Sequence, residues 1–190
     1  MGPITNQLWL IRHGETEWSR SGQHTSRTDL PLTEEGERRA GLLAAYLKDR
    51  AFALVLASPM QRAQCTCAIA GLTPQTDADL CEWDYGDYEG KTTAQIRQQD
   101  PDWTIWTGVC PNGEAAVRVA ARADRVIARC SLVGDAALFS HGHFLRVLAA
   151  RWLGLAPEAG RYFALDTGTV SILGYEHETR VIRQWNRILS

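Results

Sequence analysis

Two histidine–glycine pairs lie far apart in this chain, each directly after a short apolar run: Leu8-Trp-Leu-Ile-Arg12 leads into His13-Gly14-Glu15-Thr16, and Ala136-Ala-Leu-Phe-Ser140 leads into His141-Gly142-His143. Runs of that length read as buried strands, and open α/β sheets bind ligands at the carboxyl ends of their strands. A glycine at such a point lets the backbone approach a ligand closely. The helix expected after Ser140 adds free N–H groups and a partial positive charge, which suit an anion. Ser58-Pro59-Met60-Gln61-Arg62 follows another apolar run and places Arg62 in the first turn of a helix. Leu80 to Gly90 is a carboxylate-rich loop with interleaved aromatics, including Glu82, Trp83, Tyr85 and Glu89. Arg12, Arg62 and a protonated histidine can neutralise a phosphate dianion, and a carboxylate can manage a proton. At this level the residues do not say which histidine or which carboxylate.

These side chains must be held by alternating elements. Gln7–Arg12, Ala53–Ala57, Gln75–Leu80 and Ala136–Ser140 read as strands, with Gln75–Leu80 at an edge. Thr33 caps an expected helix to Arg50, with Glu34 and Glu35 in its first turn. Ser58-Pro59 opens a helix to Ala70 with the proline in a tolerated early position. Thr93–Gln99 predicts a short helix, Asn112-Gly113-Glu114 the start of a long one to about Cys130, and Gly142–Leu153 another. Thr169–Tyr175 and Arg180–Trp185 pair as a closing hairpin around His177-Glu178-Thr179. Strands separated by helices imply an α/β domain with a mostly parallel sheet. No repeat or linker interrupts it, so residues 1–190 are expected to form one domain.

Composition narrows the partners. With 20 basic and 22 acidic residues the net charge is −2, which gives no support to nucleic-acid binding. No apolar run is long enough to span a membrane, and Met1–Asn6 carries no signal-peptide or myristoylation pattern. The five cysteines form no CxxC pair and read as reduced packing thiols in a cytoplasmic protein. No histidines share a helix face at metal-ligand spacing, so neither a metal nor another cofactor is expected.

Leu10-Ile-Arg-His-Gly-Glu-Thr-Glu-Trp18 resembles the opening motif of the histidine phosphatase superfamily, also called phosphoglycerate mutase-like. In the same order, Asp29–Gly36 is similar to that family's first helix entry and Ser58–Ala63 to its second motif. Glu82 with Tyr85-Gly86 and Glu89-Gly90 resembles its acid loop, and Ser140-His141-Gly142 its last motif. The resemblance implies a three-layer αβα sandwich. It implies His13 as the nucleophile that becomes phosphohistidine, with Arg12, Arg62 and His141 binding the phosphoryl oxygens. Glu82 would be the proton donor, with Glu89 its competitor, and Gly142 would offer a backbone N–H. Ser19 stands where many members carry an asparagine that touches phosphate. His24 and Thr25 fall in a segment that approaches the phosphate in relatives. Glu15 reads as structural, and His143 as either lining the pocket or holding the loop.

The stretch from Glu82 to His141 is short compared with that in cofactor-dependent mutases, so hydrolysis is expected rather than transfer to a second hydroxyl. Arg118, Arg122, Arg125 and Arg129 share one expected helix and read as its solvated face. The acid loop, Cys110-Pro-Asn-Gly-Glu114 and Ser140-His-Gly-His143 together look most like a branch with bacterial acid phosphatases and a fungal sugar-bisphosphatase. The implied substrate is a small phosphomonoester, a sugar phosphate or bisphosphate, and Trp83, Trp103 and Trp106 are candidates to wall its pocket. The alternatives are phosphoglycerate mutase activity and a non-catalytic phospho-ligand or protein-interaction module. A homodimer is compatible with this reading.

Overall fold

A computed structural model describes residues 6–190; Met1–Thr5, where the sequence reading looked for a leader, lie outside the described residues. Six strands form one sheet: β1 (Leu8–Arg12), β2 (Leu54–Ala57), β3 (Gln75–Thr76), β4 (Ala136–Ser140), β5 (Val170–Glu176) and β6 (Thr179–Arg187). Their order is β3-β2-β4-β1-β5-β6. β3, β2, β4 and β1 run parallel, while β5 pairs antiparallel with β1 and β6 antiparallel with β5. The sheet is therefore mixed, with its parallel part next to the motifs.

The unbroken apolar runs follow from helices on both faces. On β1, Leu8 and Leu10 point to one core and Trp9 and Ile11 to the other; on β4, Ala136 and Leu138 divide from Ala137 and Phe139 in the same way. The first core is closed by α5 (Ala116–Ser131) and α6 (Gly142–Trp152), the second by α2 (Glu34–Leu47) and α3 (Gln61–Ile69). Two further short helices are α1 (Glu17–Ser21) and α4 (Thr93–Ile96). The register pairs Arg12 with Ser140, so β1 and β4 end side by side and deliver His13 and His141 to the same edge.

Several element boundaries differ from the sequence reading. The Gln75–Leu80 strand stops at Thr76, and Ala78–Leu80 becomes a 3₁₀ turn because the Asp77 carboxylate captures the Asp79 N–H at 2.9 Å. Pro59 precedes α3 rather than opening it, since Met60 is the N-cap. α5 begins at Ala116, not at Asn112, because Asn112-Gly113-Glu114 is spent on the acid loop. The closing hairpin forms as expected, with His177 at φ 51° in its turn. α1 was not foreseen; its signal is a capping box in which Thr16 and Ser19 exchange hydrogen bonds.

Candidate active site

His13 follows the last residue of β1. Its N–H donates to the Ser140 carbonyl at 3.0 Å and its carbonyl accepts from the Gly168 N–H at 3.0 Å, which ties it to β4 and to the turn before β5. The residue is only 5 % exposed, and its Nδ1 lies 2.7 Å from the Gly14 carbonyl. A carbonyl can only accept, so Nδ1 carries the proton and Nε2 presents its lone pair. Burial, reinforced by the charges of Arg12 and Arg62, holds the pKa of His13 well below the usual imidazole range. Glycine is required beside it: a side-chain carbon at Gly14 would lie 2.5 Å from the Gly36 carbonyl oxygen.

Arg12 donates through Nη1 to the Leu165 carbonyl at 2.5 Å, while its buried Nε has no partner among the described residues. Its guanidinium carbon lies 3.3 Å from where a Cβ at Gly142 would stand, so Gly142 makes room for the arginine. Behind His13, at 5.1 Å between ring centroids, stands fully buried His141. Arg62 Nε donates to His141 Nδ1 at 3.2 Å, which leaves the His141 proton on Nε2 to be donated to Ser58 Oγ at 2.8 Å. Arg62 also donates to the Thr28 and Ser26 carbonyls at 2.9 and 3.0 Å. A guanidinium this deeply buried has to be satisfied by such acceptors.

The Glu82 side of the site is assembled from loops. Glu82, 6 % exposed, accepts from the Trp83 and Phe144 N–H groups on Oε1, both at 2.8 Å, and from the His143 N–H on Oε2 at 3.0 Å. Its carboxyl thus sits on the N-terminus of α6. Gly142 N–H, the first of that helix, has no protein partner among the described residues. Arg122 reaches across from α5 to donate to the carbonyls of Asp79, Cys81 and Glu82 at 2.7, 2.8 and 3.2 Å. It also pairs with Glu114 at 2.8 Å, and Glu114 in turn accepts from the Asp84 N–H and, through its carbonyl, from Trp83 Nε1. The ion pair is largely buried, at 12 and 18 % side-chain exposure. Gly86, at φ 54°, lets this loop press against residues 111–113: a Cβ there would be 2.0 Å from the Pro111 carbonyl oxygen.

Arg12, His13, Glu82 and Gly142 open onto a cleft of about 180 Å³. Ser19, His24, Thr25, Tyr85, His143 and Arg146 are among its other lining residues. Burial lowers the His24 pKa to about 4, with the charge of Glu89 opposing. Arg146 stacks 4.5 Å from the Trp106 ring centre and donates to the Gly160 carbonyl at 3.0 Å. Among the described residues, no group of three or more His, Cys, Asp or Glu is placed to hold a metal ion. No helix among them is long and apolar enough to cross a membrane.

Residues 8–188 match the sequence profile of the histidine phosphatase superfamily (branch 1). The chain belongs to this superfamily. It is 41% identical to an acid phosphatase of Mycobacterium tuberculosis, over 95% of this chain and 92% of that one. It is 35% identical to a sedoheptulose 1,7-bisphosphatase of Saccharomyces cerevisiae, over 83% of this chain and 71% of that one. A solved structure of a Mycobacterium tuberculosis open reading frame superposes with a TM-score of 0.91 at 40% identity, covering 96% of this chain and 98% of that one. The relatives support a phosphatase, and the shared α/β fold is that of the histidine phosphatases.

Within this histidine phosphatase the sequence-derived residues fall into two layers. Arg12, His13, Glu82, Gly142, Ser19, His24 and Thr25 line the cleft, whereas Arg62 and His141 do not reach its wall and brace His13 from behind. The Ser19 hydroxyl is engaged in capping α1, donating to the Thr16 carbonyl at 2.9 Å and accepting from the Thr16 N–H at 2.8 Å. Glu89 is drawn away from the cleft. Burial raises its pKa, but hydrogen bonds from Ser26 and Thr28 outweigh that and lower it overall. Glu15 is structural: its carboxylate accepts from the Thr33 hydroxyl at 2.9 Å at the start of α2.

Of the arginines read as a solvated face, Arg118, Arg125 and Arg129 are exposed, the last two in surface ion pairs with Asp79 and Asp77, whereas Arg122 is drawn into the Glu114 network. Trp83 and Trp103 are buried packing residues, and only Trp106 is half-exposed beside His143. Of the five thiols, Cys67, Cys110 and Cys130 are buried, Cys81 half-buried and Cys65 exposed. Arg146 was missed, although its spacing three residues after His143 on α6 puts both on one helix face.

Proposed function

We propose that this chain hydrolyses small phosphomonoesters, sugar phosphates or bisphosphates foremost, through a phosphohistidine at His13. The observation that carries the proposal is the Nδ1–Gly14 carbonyl contact of 2.7 Å, which supports a neutral ring with its Nε2 lone pair free. His13 Nε2 attacks phosphorus and forms the N–P bond while the ester P–O bond breaks. Charge on the equatorial oxygens is met by Arg12 and the free Gly142 N–H, with the Arg62 guanidinium adding positive charge from the layer behind. Glu82 passes its proton to the departing sugar oxygen. It then takes a proton from the water that attacks phosphohistidine, and inorganic phosphate leaves. Water as final acceptor is supported by the short stretch between Glu82 and His141. The sugar-phosphate class is supported by the name of one relative, a sedoheptulose 1,7-bisphosphatase, and by a cleft lined with imidazole and guanidinium groups. Rapid quench with ³²P-labelled substrate is expected to trap label that is acid-labile and base-stable, as a phosphoramidate is. Label retained by His13→Ala protein would overturn the assignment.

A further inference from the structure

We propose that Tyr85 is a positioning residue that fixes His143 as an Nε2–H donor facing the leaving-group side of the cleft. The inference rests on the phosphatase reading for its functional meaning and on geometry for its content. The Tyr85 hydroxyl lies 2.6 Å from His143 Nδ1, and Tyr85 is 2 % exposed. The phenol has one proton and no other hydrogen-bond partner among the described residues. Were Nδ1 the donor, that buried proton would have no acceptor, an arrangement folded proteins avoid. The O–H therefore donates to Nδ1, and the imidazole proton sits on Nε2, which has no protein partner among the described residues and belongs to a ring lining the cleft.

The surroundings keep both groups neutral. Burial and the neighbouring Glu82 push the Tyr85 phenol well above its ordinary range. Burial and the charges of Arg146, His24 and Arg12 hold His143 well below its own. The groups facing His143 are thus Arg146 from α6 itself, Arg12 from β1, His24 from the loop after α1, and Tyr85 and Glu82 from the acid loop. His13 and His143 end up as opposites. One presents a lone pair and the other an N–H, each selected by a partner on Nδ1.

The location says what the donor meets. The His143 backbone N–H holds Glu82 Oε2 at 3.0 Å, and the His143 ring lines the same cleft as Glu82, the proposed proton donor to the departing oxygen. An Nε2–H there recognises acceptor oxygens on the alcohol that leaves: the hydroxyls of a polyol or sugar. A leaving group without hydroxyls, as in p-nitrophenyl phosphate, whose nitro oxygens are weak acceptors, gains far less from it.

The test begins with the wild-type full chain labelled with ¹⁵N-histidine. Long-range ¹H–¹⁵N spectra near pH 7 are expected to show His143 protonated on Nε2 and bare on Nδ1. In Tyr85→Phe the His143 signals should move toward an averaged pair. Kinetically, Tyr85→Phe is expected to raise KM for ribose 5-phosphate by about tenfold, with a smaller change in kcat, as loss of one oriented hydrogen bond would do. The KM rise for p-nitrophenyl phosphate should be well under that. In a His143→Gln background, where no tautomer exists to be fixed, adding Tyr85→Phe should cost little more. A wild-type His143 protonated on Nδ1 would overturn the proposal even if Tyr85→Phe failed to fold. So would equal KM rises for both substrates, or full additivity of the two substitutions. The tautomer is read without turnover, so its failure is distinguishable from failure of the phosphatase reading.

Discussion

His13 and Glu82 open onto the same cleft, yet they are held in different ways. His13 hangs from a sheet ladder: β1 and β4 are paired over five residues, and the next N–H continues the pairing to Ser140. Glu82 belongs to no strand or helix. It is fixed by the N-terminus of α6 on one side and on the other by Arg122, which binds three carbonyls of its loop. A strand end is placed by backbone bonds that tolerate most side-chain changes. A loop placed by one buried ion pair concentrates its geometry in two side chains. The half that carries His13, the proposed nucleophile, should therefore withstand substitutions outside its motif, and the half that carries Glu82, the proposed acid, should fail when Arg122 or Glu114 is altered far from the cleft.

The largest expected effect is on the His13 half. His13→Ala should cut turnover by about 10⁴–10⁶-fold, the scale on which removal of a nucleophile acts, and should abolish trapped phosphoenzyme. Glu82→Gln comes next. General acid catalysis is worth about 10²–10⁴-fold, and a sugar alkoxide needs the proton whereas p-nitrophenolate does not. Single-turnover phosphorylation should thus fall by that factor with a sugar phosphate and much less with p-nitrophenyl phosphate. Equal losses would remove Glu82 from its role.

Arg122→Met sharpens the comparison. It strands Glu114 in a buried site, and breaking such a pair costs about 3–5 kcal/mol of stability, measurable by urea unfolding. If Arg122 positions the acid, the surviving native protein should lose more activity toward sugar phosphates than toward p-nitrophenyl phosphate. A uniform loss would reduce Arg122 to a fold-stabilising residue. The double change Arg122→Met with Glu114→Leu should recover much of the stability without recovering that selectivity.

pH separates the halves more gently. His13 and His141 are buried with folded pKa values held well below the unfolded value of about 6.5. Between those values the unfolded chain binds more protons, so stability rises with pH. The contribution is full above about pH 6.5 and is lost as pH falls toward the folded pKa values, at roughly 1.4 kcal/mol per pH unit for each histidine. Unfolding free energies measured at pH 7 and pH 5.5 should show this slope, and His141→Asn should flatten it; an unchanged slope would contradict the neutral burial of His141. The smallest effect concerns the rim. Ser19→Ala removes half of a capping box and should cost about 0.5–1 kcal/mol in the same assay.

The two halves were not equally legible in the sequence. Arg12-His13-Gly14 and Ser140-His141-Gly142 each end an apolar run, and period and position suffice to place such residues at strand ends. The strand order that makes β1 and β4 neighbours was not legible, because it depends on pairings between residues distant in the chain. Glu82 was legible as a carboxylate in an aromatic loop, but Glu89 stood beside it as an equal in type. Only the fold separated them, by giving Glu89 to Ser26 and Thr28 and Glu82 to α6.

The local sequence by itself determined which residue types were available, and which backbone points needed glycine or a helix start. Tertiary structure decided protonation and layering, since both are set by what lies across a gap of a few ångströms. The Gly14 carbonyl sets the His13 tautomer and Arg62 that of His141, while the Tyr85 hydroxyl is positioned to set that of His143. Arg122 shows the same limit from the other direction. Its helical spacing alone pointed to solvent, and the carbonyls that bind it come from a loop some forty residues earlier in the chain.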